Sequence, residues 1–270
     1  PSPTPTPVLL AGAGDIAVCG DLNQGDERTA ALIERFPDAA VFTAGDNVYG
    51  TGTPNDYAYC YTPSWGRFKD RTRPSPGNHD YETEAGAAYY SYFGRAAGAA
   101  NIGFYSYDLG SWHIVALNSN CNDIGCGKES AQAEWLRTDL ASNTAKCTLL
   151  YWHHPRWSSG MAGGSGSVST FWRVAVENNA DVVVNGHDHN YERFAPQDAE
   201  GNADPKGVRE FVVGTGGTIL RDFGEIKPNS ELRYNSTNGI IVFKLYTDHY
   251  DWEFVPTSGD FHDTGSGECH

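Results

Sequence analysis

The stretch of sequence that decides the fold is Asn185-Gly186-His187-Asp188-His189-Asn190-Tyr191-Glu192-Arg193. Before it, residues 181–184 form a β-branched apolar run that predicts a buried strand, and Gly186 marks a sharp turn out of that strand. His187 and His189 are therefore predicted to lie on a loop. Because alternate residues of an extended segment point to opposite sides, each histidine could bind one of two neighbouring metal ions. Taken alone, the stretch fits a solvated polar turn slightly better, so the metal hypothesis depends on the other strand ends.

Side chains of the kind that bind metals follow four other predicted strands, at residues 8–14, 40–45, 73–77 and 148–152. In chain order, they are Asp15; Asp46 and Tyr49; Asn78, His79 and Asp80; and His153 and His154. Sites in open α/β sheets lie at the carboxyl ends of strands, so the five loops are predicted to converge on one crevice. Each cluster alone could be a turn or a packed side chain. Five in succession favour a metal site.

The remaining pattern is that of a mixed α/β chain. Helices are predicted at about residues 27–36 and 170–177, and Ser130 can cap another that carries Trp135, Leu136 and Leu140 on one side. A hairpin is predicted from residues 104–108 and 112–117, joined through residues 109–111. Further strands near residues 211–213, 240–245 and 250–255 make the C-terminal part rich in β-structure.

Composition excludes several classes of function. With 19 basic and 34 acidic residues among 270, the formal net charge is −15, and the sequence predicts no nucleic-acid surface. No apolar run approaches the ~20 residues of a membrane helix, so no membrane span is predicted. A phosphate-bearing substrate would need a local positive centre, which a pair of metal ions could supply. The sequence does not indicate an oligomeric state.

Cysteine usage indicates an exported protein. The six cysteines form an even set without a CxxC pair, which favours disulfides over zinc or redox sites. Cys121 and Cys126 are expected to close a small loop. The sequence leaves the other pairing open, and we predict Cys19 with Cys60 and Cys147 with Cys269. No signal-peptide pattern is present, so we expect a mature or trimmed form that is secreted or extracytoplasmic.

The chain is predicted to form one domain behind a short tether. Residues 1–7 alternate proline with small polar residues, which is typical of an extended segment. At 270 residues two domains would be possible, but α/β folds of this size often form one. We therefore expect a single catalytic domain over residues 8–270.

Five short tracts carry a resemblance to a known family. They are Gly14-Asp15-Ile16, Gly45-Asp46-Asn47-Val48-Tyr49, Gly77-Asn78-His79-Asp80, Leu150-Tyr151-Trp152-His153 and Gly186-His187-Asp188-His189. In this order they resemble the five blocks of the calcineurin-like metallophosphoesterases, and specifically the purple acid phosphatase branch. The resemblance implies an α/β fold, namely a four-layer α/β/β/α sandwich with two mixed sheets, and a dinuclear metal site at one edge of the sheets.

The resemblance also implies which residues bind the metals. Asp15, Asp46, Tyr49 and His189 would hold the first ion, and Asp46, Asn78, His153 and His187 the second, with Asp46 bridging. Ala17 stands where many members of other branches carry a histidine ligand, and Tyr49 matches the tyrosinate of purple acid phosphatases. Carboxylate and phenolate ligands favour Fe(III) at the first position, whereas an amide and two imidazoles suit Zn(II), Fe(II) or Mn(II) at the second.

The implied reaction is hydrolysis of phosphate monoesters at acidic pH. In-line attack by a metal-bound hydroxide would cleave small phosphorylated substrates and release inorganic phosphate. His79 is expected to protonate the leaving group or to bind the phosphate beside Asn78. His154 and Arg156 are further candidates for contacts with the substrate, and His154 also for catalysis. Either could instead be a packing or surface residue.

Departures from the family pattern leave alternatives open. Ala17 and Leu150 replace a usual glycine and valine, and no fibronectin-like domain precedes Val8, so a compact form is expected. The glycine-rich residues 158–166 lack the histidine pair of plant members and predict a mobile lip. A phosphodiesterase or nucleotide hydrolase could use the same metals. A non-catalytic exported binding protein is the alternative from outside enzymology.

Overall fold

The computed structural model describes residues 6–20, 24–99 and 101–270. Its strands are β1 Val8–Ala13, β2 Ala17–Val18, β3 Ala40–Ala44, β4 Val48–Tyr49, β5 Thr72–Ser75, β6 Tyr105–Leu109, β7 Trp112–Ala116, β8 Cys147–Tyr151, β9 Val182–Asn185, β10 Tyr191–Phe194, β11 Arg209–Val213, β12 Ser230–Tyr234, β13 Gly239–Leu245, β14 His249–Pro256 and β15 Asp263–Glu268. Its α-helices are α1 Gly25–Ile33, α2 Pro54–Asp56, α3 Asn78–Tyr81, α4 Ala87–Phe93, α5 Cys121–Ile124, α6 Ala131–Ser142 and α7 Ser169–Glu177. A π-helical turn, Tyr57–Tyr61, and a 3₁₀ helix, Trp65–Arg71, follow α2.

Two mixed sheets carry the fold. The first has six strands in the order β15-β14-β13-β1-β3-β5, and β1, β3 and β5 run parallel. The second has seven strands in the order β12-β10-β11-β9-β8-β7-β6, and β7, β8, β9 and β11 run parallel. Parallel neighbours end at the same edge of a sheet, so the loops after these strands lie close together.

Aromatic side chains fill the space between the sheets. The ring centroids of Phe42 on β3 and Tyr151 on β8 lie 5.4 Å apart, and those of Trp112 on β7 and Tyr250 on β14 lie 5.7 Å apart. Successive residues of the second sheet alternate between this core and the opposite face. On β9, for example, Val182 and Val184 belong to the inner core, while Val183 packs on the other side.

Helices cover the outer face of each sheet. Leu136 of α6 and Trp172 of α7 pack against Val183 and its neighbours outside the second sheet. On the first sheet, α1 contacts β13, and Trp65 donates its indole N–H to Thr29 Oγ1 of α1 at 2.9 Å. The predicted four-layer α/β/β/α sandwich with two mixed sheets is confirmed.

Three disulfides cross-link the chain, and all three predicted pairs are confirmed. Cys19 bonds Cys60, Cys121 bonds Cys126, and Cys147 bonds Cys269. The last pair joins the start of β8 to the end of the chain, across 122 residues. Constraining the unfolded chain in this way stabilises small proteins by roughly 2–4 kcal/mol for each bond.

Most predicted elements are found within one to three residues of the expected bounds. The first helix is the largest difference, because α1 spans Gly25–Ile33 rather than residues 27–36. The strands β2, β4, β10, β12 and β15 were not predicted. Most of the predicted tether, residues 1–5, lies outside the described residues, and β1 begins at Val8. Within the described ranges, no helix has the length and apolar character that crossing a membrane requires.

Candidate metal centre

Five loops meet at the carboxyl edge of the two sheets. Asp15 follows β1, Asp46 follows β3, and Asn78 opens α3 directly after β5. From the second sheet, His153 follows β8 and His187 follows β9. The predicted convergence of the five loops is therefore found, and the donor atoms of Asp15, Asp46 and His153 all lie within 4.8 Å of one another.

The first group of donors is formed by Asp15, Tyr49 and His189. The hydroxyl oxygen of Tyr49 lies 2.6 Å from Asp15 Oδ1 and 2.9 Å from His189 Nε2. His189 Nε2 lies 3.4 Å from Asp15 Oδ1. The Nδ1–H of His189 donates to the carbonyl oxygen of Ile219 at 2.9 Å, so Nε2 presents a lone pair to the group.

The second group is centred on His153, which is fully buried. Its Nε2 lies 3.3 Å from Asp46 Oδ2, 3.1 Å from Asn78 Oδ1 and 3.2 Å from His187 Nδ1. Its Nδ1–H donates to the carbonyl oxygen of Ala44 at 2.9 Å. That bond orients the ring and turns the lone pair of Nε2 toward three other polar atoms.

This arrangement fits cations better than a hydrogen-bond network. A neutral His153 has no hydrogen on Nε2, so its lone pair would face the oxygens of Asp46 and Asn78. Burial lowers the pKa of His153, but the charge and hydrogen bond of Asp46 outweigh it and raise the pKa to about 9. Burial raises the pKa of Asp46, yet His153 holds it well below its usual range. The centre therefore favours positive charge where the donors meet, and the donor types fit two metal ions.

Tyr49 also favours a cation, in this case within the first group of donors. Burial, followed by the charges of Asp15 and Asp46, raises the pKa of Tyr49 well above its usual range. A phenolate would be unfavourable here unless a cation compensated its charge.

The backbone at three of these positions is strained. Asp15, Asp46 and His187 have φ angles of 61°, 46° and 70°, in the left-handed region that non-glycine residues rarely adopt. Strain of this kind is typical of functional sites, where surrounding structure compensates it. Gly77 makes the approach possible, because a Cβ at this position would lie 2.1 Å from Asp46 Oδ1.

The sequence profile of the calcineurin-like phosphoesterases matches residues 14–191, which include all five loops. The chain belongs to the calcineurin-like phosphoesterase family. The predicted resemblance to this family and to its purple acid phosphatase branch is confirmed. Such relatives suggest a dinuclear metal centre, which agrees with the two groups of donors.

Purple acid phosphatases are the curated relatives of this phosphoesterase. Purple acid phosphatase 15 of Arabidopsis thaliana is 31% identical over 244 residues, which cover 76% of this chain and 45% of that protein. Purple acid phosphatase 21 of the same plant is 31% identical over 254 residues, 82% of this chain and 55% of that protein. The chain thus spans about half the length of these relatives.

Solved structures show that the fold is shared. A purple acid phosphatase from yellow lupin (Lupinus luteus) seeds superposes with a TM-score of 0.81 at 18% identity, over 99% of this chain and 55% of that one. GAP50, the anchor in the inner membrane complex of Plasmodium, superposes with a TM-score of 0.74 at 16% identity, over 98% of this chain and 90% of that one. An enzyme and an anchor share this fold, so the function of this phosphoesterase has to be argued from its site.

His79 lies beside the first group of donors. Its ring centroid is 4.5 Å from that of Tyr49, and its backbone N–H donates to Asp46 Oδ1 at 2.8 Å. Its Nδ1 contacts Glu82 Oε1 at 3.0 Å. Within the described ranges His79 Nε2 makes no hydrogen bond or ion pair, which leaves that nitrogen for a ligand.

His154 lies beside the second group. Its ring centroid is 4.4 Å from that of His187, and its Nδ1 is 2.8 Å from the hydroxyl of Ser119. Burial, followed by the charges of His153 and His187, lowers the pKa of His154, which favours a neutral ring. A cavity of about 280 Å³ opens here, with His154 and Asn78 in its wall.

The side chain of Arg156 packs on a neighbouring tryptophan. Its guanidinium stacks over the ring of Trp157, 3.8 Å from the centroid, and Arg156 does not line the cavity beside His154. Its backbone N–H donates to Glu210 Oε1 at 2.8 Å. A contact of this guanidinium with bound phosphate would therefore require the side chain to leave Trp157.

Residues 156–163, which overlap the lip predicted at residues 158–166 and are called the lip below, are held by three buried carboxylates. Glu210 accepts the backbone N–H groups of residues 156 and 157, and Glu192 accepts that of residue 159. Asp188 accepts those of residues 162 and 163, at 2.8 and 3.1 Å. Gly160 lies so close to Asp188 that a Cβ there would be 2.2 Å from the carboxylate carbon, and the mobility of residues 158–166 stays a prediction.

Sequence reasoning missed the residues that follow β7. Ser119 contacts His154, and Asn120 lines the same cavity and donates its side-chain N–H to the carbonyl oxygen of Gly77 at 3.1 Å. The signal was a polar run directly after a predicted strand, as at the other five loops. Without a histidine or carboxylate in that run, it was not singled out.

Proposed function

We propose that this phosphoesterase hydrolyses phosphate monoesters at a dinuclear metal centre. The observation that carries the proposal is the pair of donor groups that meet at Asp46. Asp15, Asp46, Tyr49 and His189 would hold the first ion. Asp46, Asn78, His153 and His187 would hold the second. The same fold without such donors would offer phosphate no positive centre on a chain of formal charge −15.

The donor types favour Fe(III) in the first group and Zn(II), Fe(II) or Mn(II) in the second. When bound, such ions polarise the phosphate oxygens and activate water. The carbonyl oxygens of Ala44 and Ile219 fix the rings of His153 and His189. These bonds keep both imidazoles oriented without the movement that a flexible ligand would need.

Protein groups beside the centre would complete the reaction. His79 would give a proton to the leaving alkoxide through Nε2, while Glu82 holds its Nδ1 at 3.0 Å. His154, neutral and fixed by Ser119, would donate a hydrogen bond to the phosphate beside Asn78. The name of the curated relatives, purple acid phosphatases, supports activity at acidic pH. Three disulfides support secretion into an oxidising compartment.

Phosphate release from an aryl monophosphate, compared with release of aryl alcohol from the matching bis-aryl diester, tests this function. We expect wild-type protein to prefer the monoester and Asp46→Asn to lose at least about 100-fold in kcat/KM. Asp260→Asn, at an exposed site, is the matched control and should keep full activity.

Preferential turnover of the diester would contradict the proposal and indicate a phosphodiesterase. No turnover of either ester by the metal-loaded protein would favour a non-catalytic binding protein.

A further inference from the structure

The cavity beside the metal centre is where a leaving group would lie. Asn78, which belongs to the second group of donors, and His154, which lies beside that group, form one part of its wall. If phosphate binds at the ions, as the proposed function requires, the alcohol part of the ester extends into this cavity of about 280 Å³. The other residues of the cavity wall would then determine which alcohol groups of phosphate esters bind well.

That wall is polar and carries negative charge. Ser119, Asn120 and Ser165 contribute hydroxyl and amide groups. The charged members are Glu82 and Asp123, and among the described residues that line the cavity none is lysine or arginine. A second phosphate or a carboxylate on the substrate would therefore face two carboxylates without a compensating cation.

Asp123 is held at the cavity by its local structure. It lies in α5, whose first residue, Cys121, is bonded to Cys126. Its backbone N–H donates to the carbonyl oxygen of Asn120 at 3.0 Å. Burial raises the pKa of Tyr81, and the charge of Asp123 contributes to that rise, because the Tyr81 side chain lines the same cavity.

We propose that this cavity selects phosphate monoesters of cationic alcohols, such as amino alcohols, and that Asp123 is a specificity-determining residue. The ammonium group would lie between Glu82 and Asp123, and the hydroxyl and amide groups would replace its lost water contacts. Both carboxylates are exposed, so the preference depends on ionic strength. Glu82 also contacts His79, which makes Asp123 the cleaner position to test.

A matched pair of esters tests the proposal. Phosphocholine and 3,3-dimethylbutyl phosphate have the same shape, but only the first carries a positive charge. We expect wild-type kcat/KM to favour phosphocholine about tenfold at low salt. Asp123→Asn should reduce this ratio severalfold, through a lower kcat/KM for phosphocholine. The two alcohols differ in intrinsic reactivity, so the ratio of their kcat/KM values in wild type alone does not isolate the effect of charge. The effect of the Asp123 charge is given by the difference between the ratio in wild type and the ratio in Asp123→Asn.

Asp260→Asn is the control and should keep the wild-type ratio. A ratio that Asp123→Asn leaves unchanged, or one that does not fall with added salt, overturns the proposal even if both esters are hydrolysed. Failure of the metal-loaded wild-type protein to hydrolyse the neutral ester or an aryl phosphate would instead contradict the phosphatase function itself.

Discussion

Tyr49 is the residue on which the identity of the first metal depends. Its hydroxyl lies between Asp15 and His189, 2.6 and 2.9 Å from their donor atoms. Burial and neighbouring carboxylates raise its pKa, so a phenolate here requires a strongly positive ion. A trivalent ion meets that requirement better than a divalent one.

Tyr49→Phe should therefore remove the colour of the iron-loaded protein. A phenolate bound to Fe(III) absorbs visible light by charge transfer, and phenylalanine keeps the ring that packs against His79. We expect weaker iron binding and reduced hydrolysis, measured by absorption spectroscopy and metal analysis. A colourless wild-type protein that contains Fe(III) would show that Tyr49 is not a ligand.

His79→Ala should reduce hydrolysis of alkyl phosphates far more than that of aryl phosphates. Alkoxides need a proton as they leave, whereas phenolates with electron-withdrawing groups hardly do. We expect kcat/KM to fall about 100-fold for the alkyl ester and less than tenfold for the aryl ester. Equal losses for both esters would indicate that His79 binds phosphate and does not act as an acid.

Sequence alone placed most ligand-type residues at strand ends because the preceding strands have a strong apolar pattern; β5, which reads Thr72-Arg73-Pro74-Ser75, is the exception. It could not predict that Arg156 stacks on Trp157, since that contact depends on how the lip is held. Nor could it predict that Asp123 faces the cavity. The position of Asp123 depends on a turn closed by a disulfide, and a short polar segment carries no periodic signal.

Among the elements, the lip is positioned by the same loop that carries His187 and His189, two of the proposed metal ligands. Asp188 stands between His187 and His189 and accepts bonds from Ser158 Oγ and from the backbone N–H groups of residues 162 and 163. Its side chain is fully buried. Any movement of the lip would therefore disturb the metal-binding loop.

Asp188→Asn should loosen the lip. The side-chain N–H group of asparagine would face N–H and O–H groups that now donate to the Asp188 carboxylate. Loss of a hydrogen bond to a charged group costs about 1.5–3 kcal/mol. We expect amide hydrogen exchange in residues 156–163 to be at least about tenfold faster. Asp198→Asn, which also removes a carboxylate that accepts backbone N–H groups but at an exposed turn, should leave the lip unchanged. Unaltered exchange in Asp188→Asn would show that Glu192 and Glu210 suffice.

Two of the strands that sequence analysis missed, β12 and β15, share a physical reason. β12 and β15 are edge strands, and β15 reads Asp263-Thr264-Gly265-Ser266-Gly267-Glu268, without an apolar residue. Its position is set by pairing with β14 rather than by burial of its own side chains. Such strands become predictable only once the neighbouring strand is known.

For the whole molecule, the buried carboxylates make stability depend on pH. Glu210 is fully buried on β11, and burial raises its pKa to about 8 despite the N–H groups of Arg156 and Trp157. This pKa lies above the ordinary glutamate value of 4.5, which applies in the unfolded chain. Between about pH 4.5 and pH 8 the folded protein therefore binds more protons than the unfolded chain does. Stability should thus be greatest below about pH 4.5 for this group and fall until about pH 8.

Glu210→Gln should remove this part of the pH dependence. Glutamine can still accept both backbone N–H groups through Oε1 and cannot ionise. We expect the free energy of unfolding of the variant, measured by denaturant titration with metals loaded, to fall less than that of wild type between pH 5 and pH 8. Each unit of pKa shift corresponds to about 1.4 kcal/mol. Identical slopes for the two proteins would mean that Glu210 stays ionised in the folded state.

That a pair of metal ions sharing Asp46 carries out the hydrolysis is tested most sharply by counting the metal ions bound to each chain of active protein. Elemental analysis gives this number and is run alongside an assay of phosphate release. We predict two ions per chain, one of them iron. In Asp46→Asn we predict the loss of both ions together with the loss of activity. Full phosphatase activity with fewer than two ions, or two ions and normal turnover in Asp46→Asn, would contradict it.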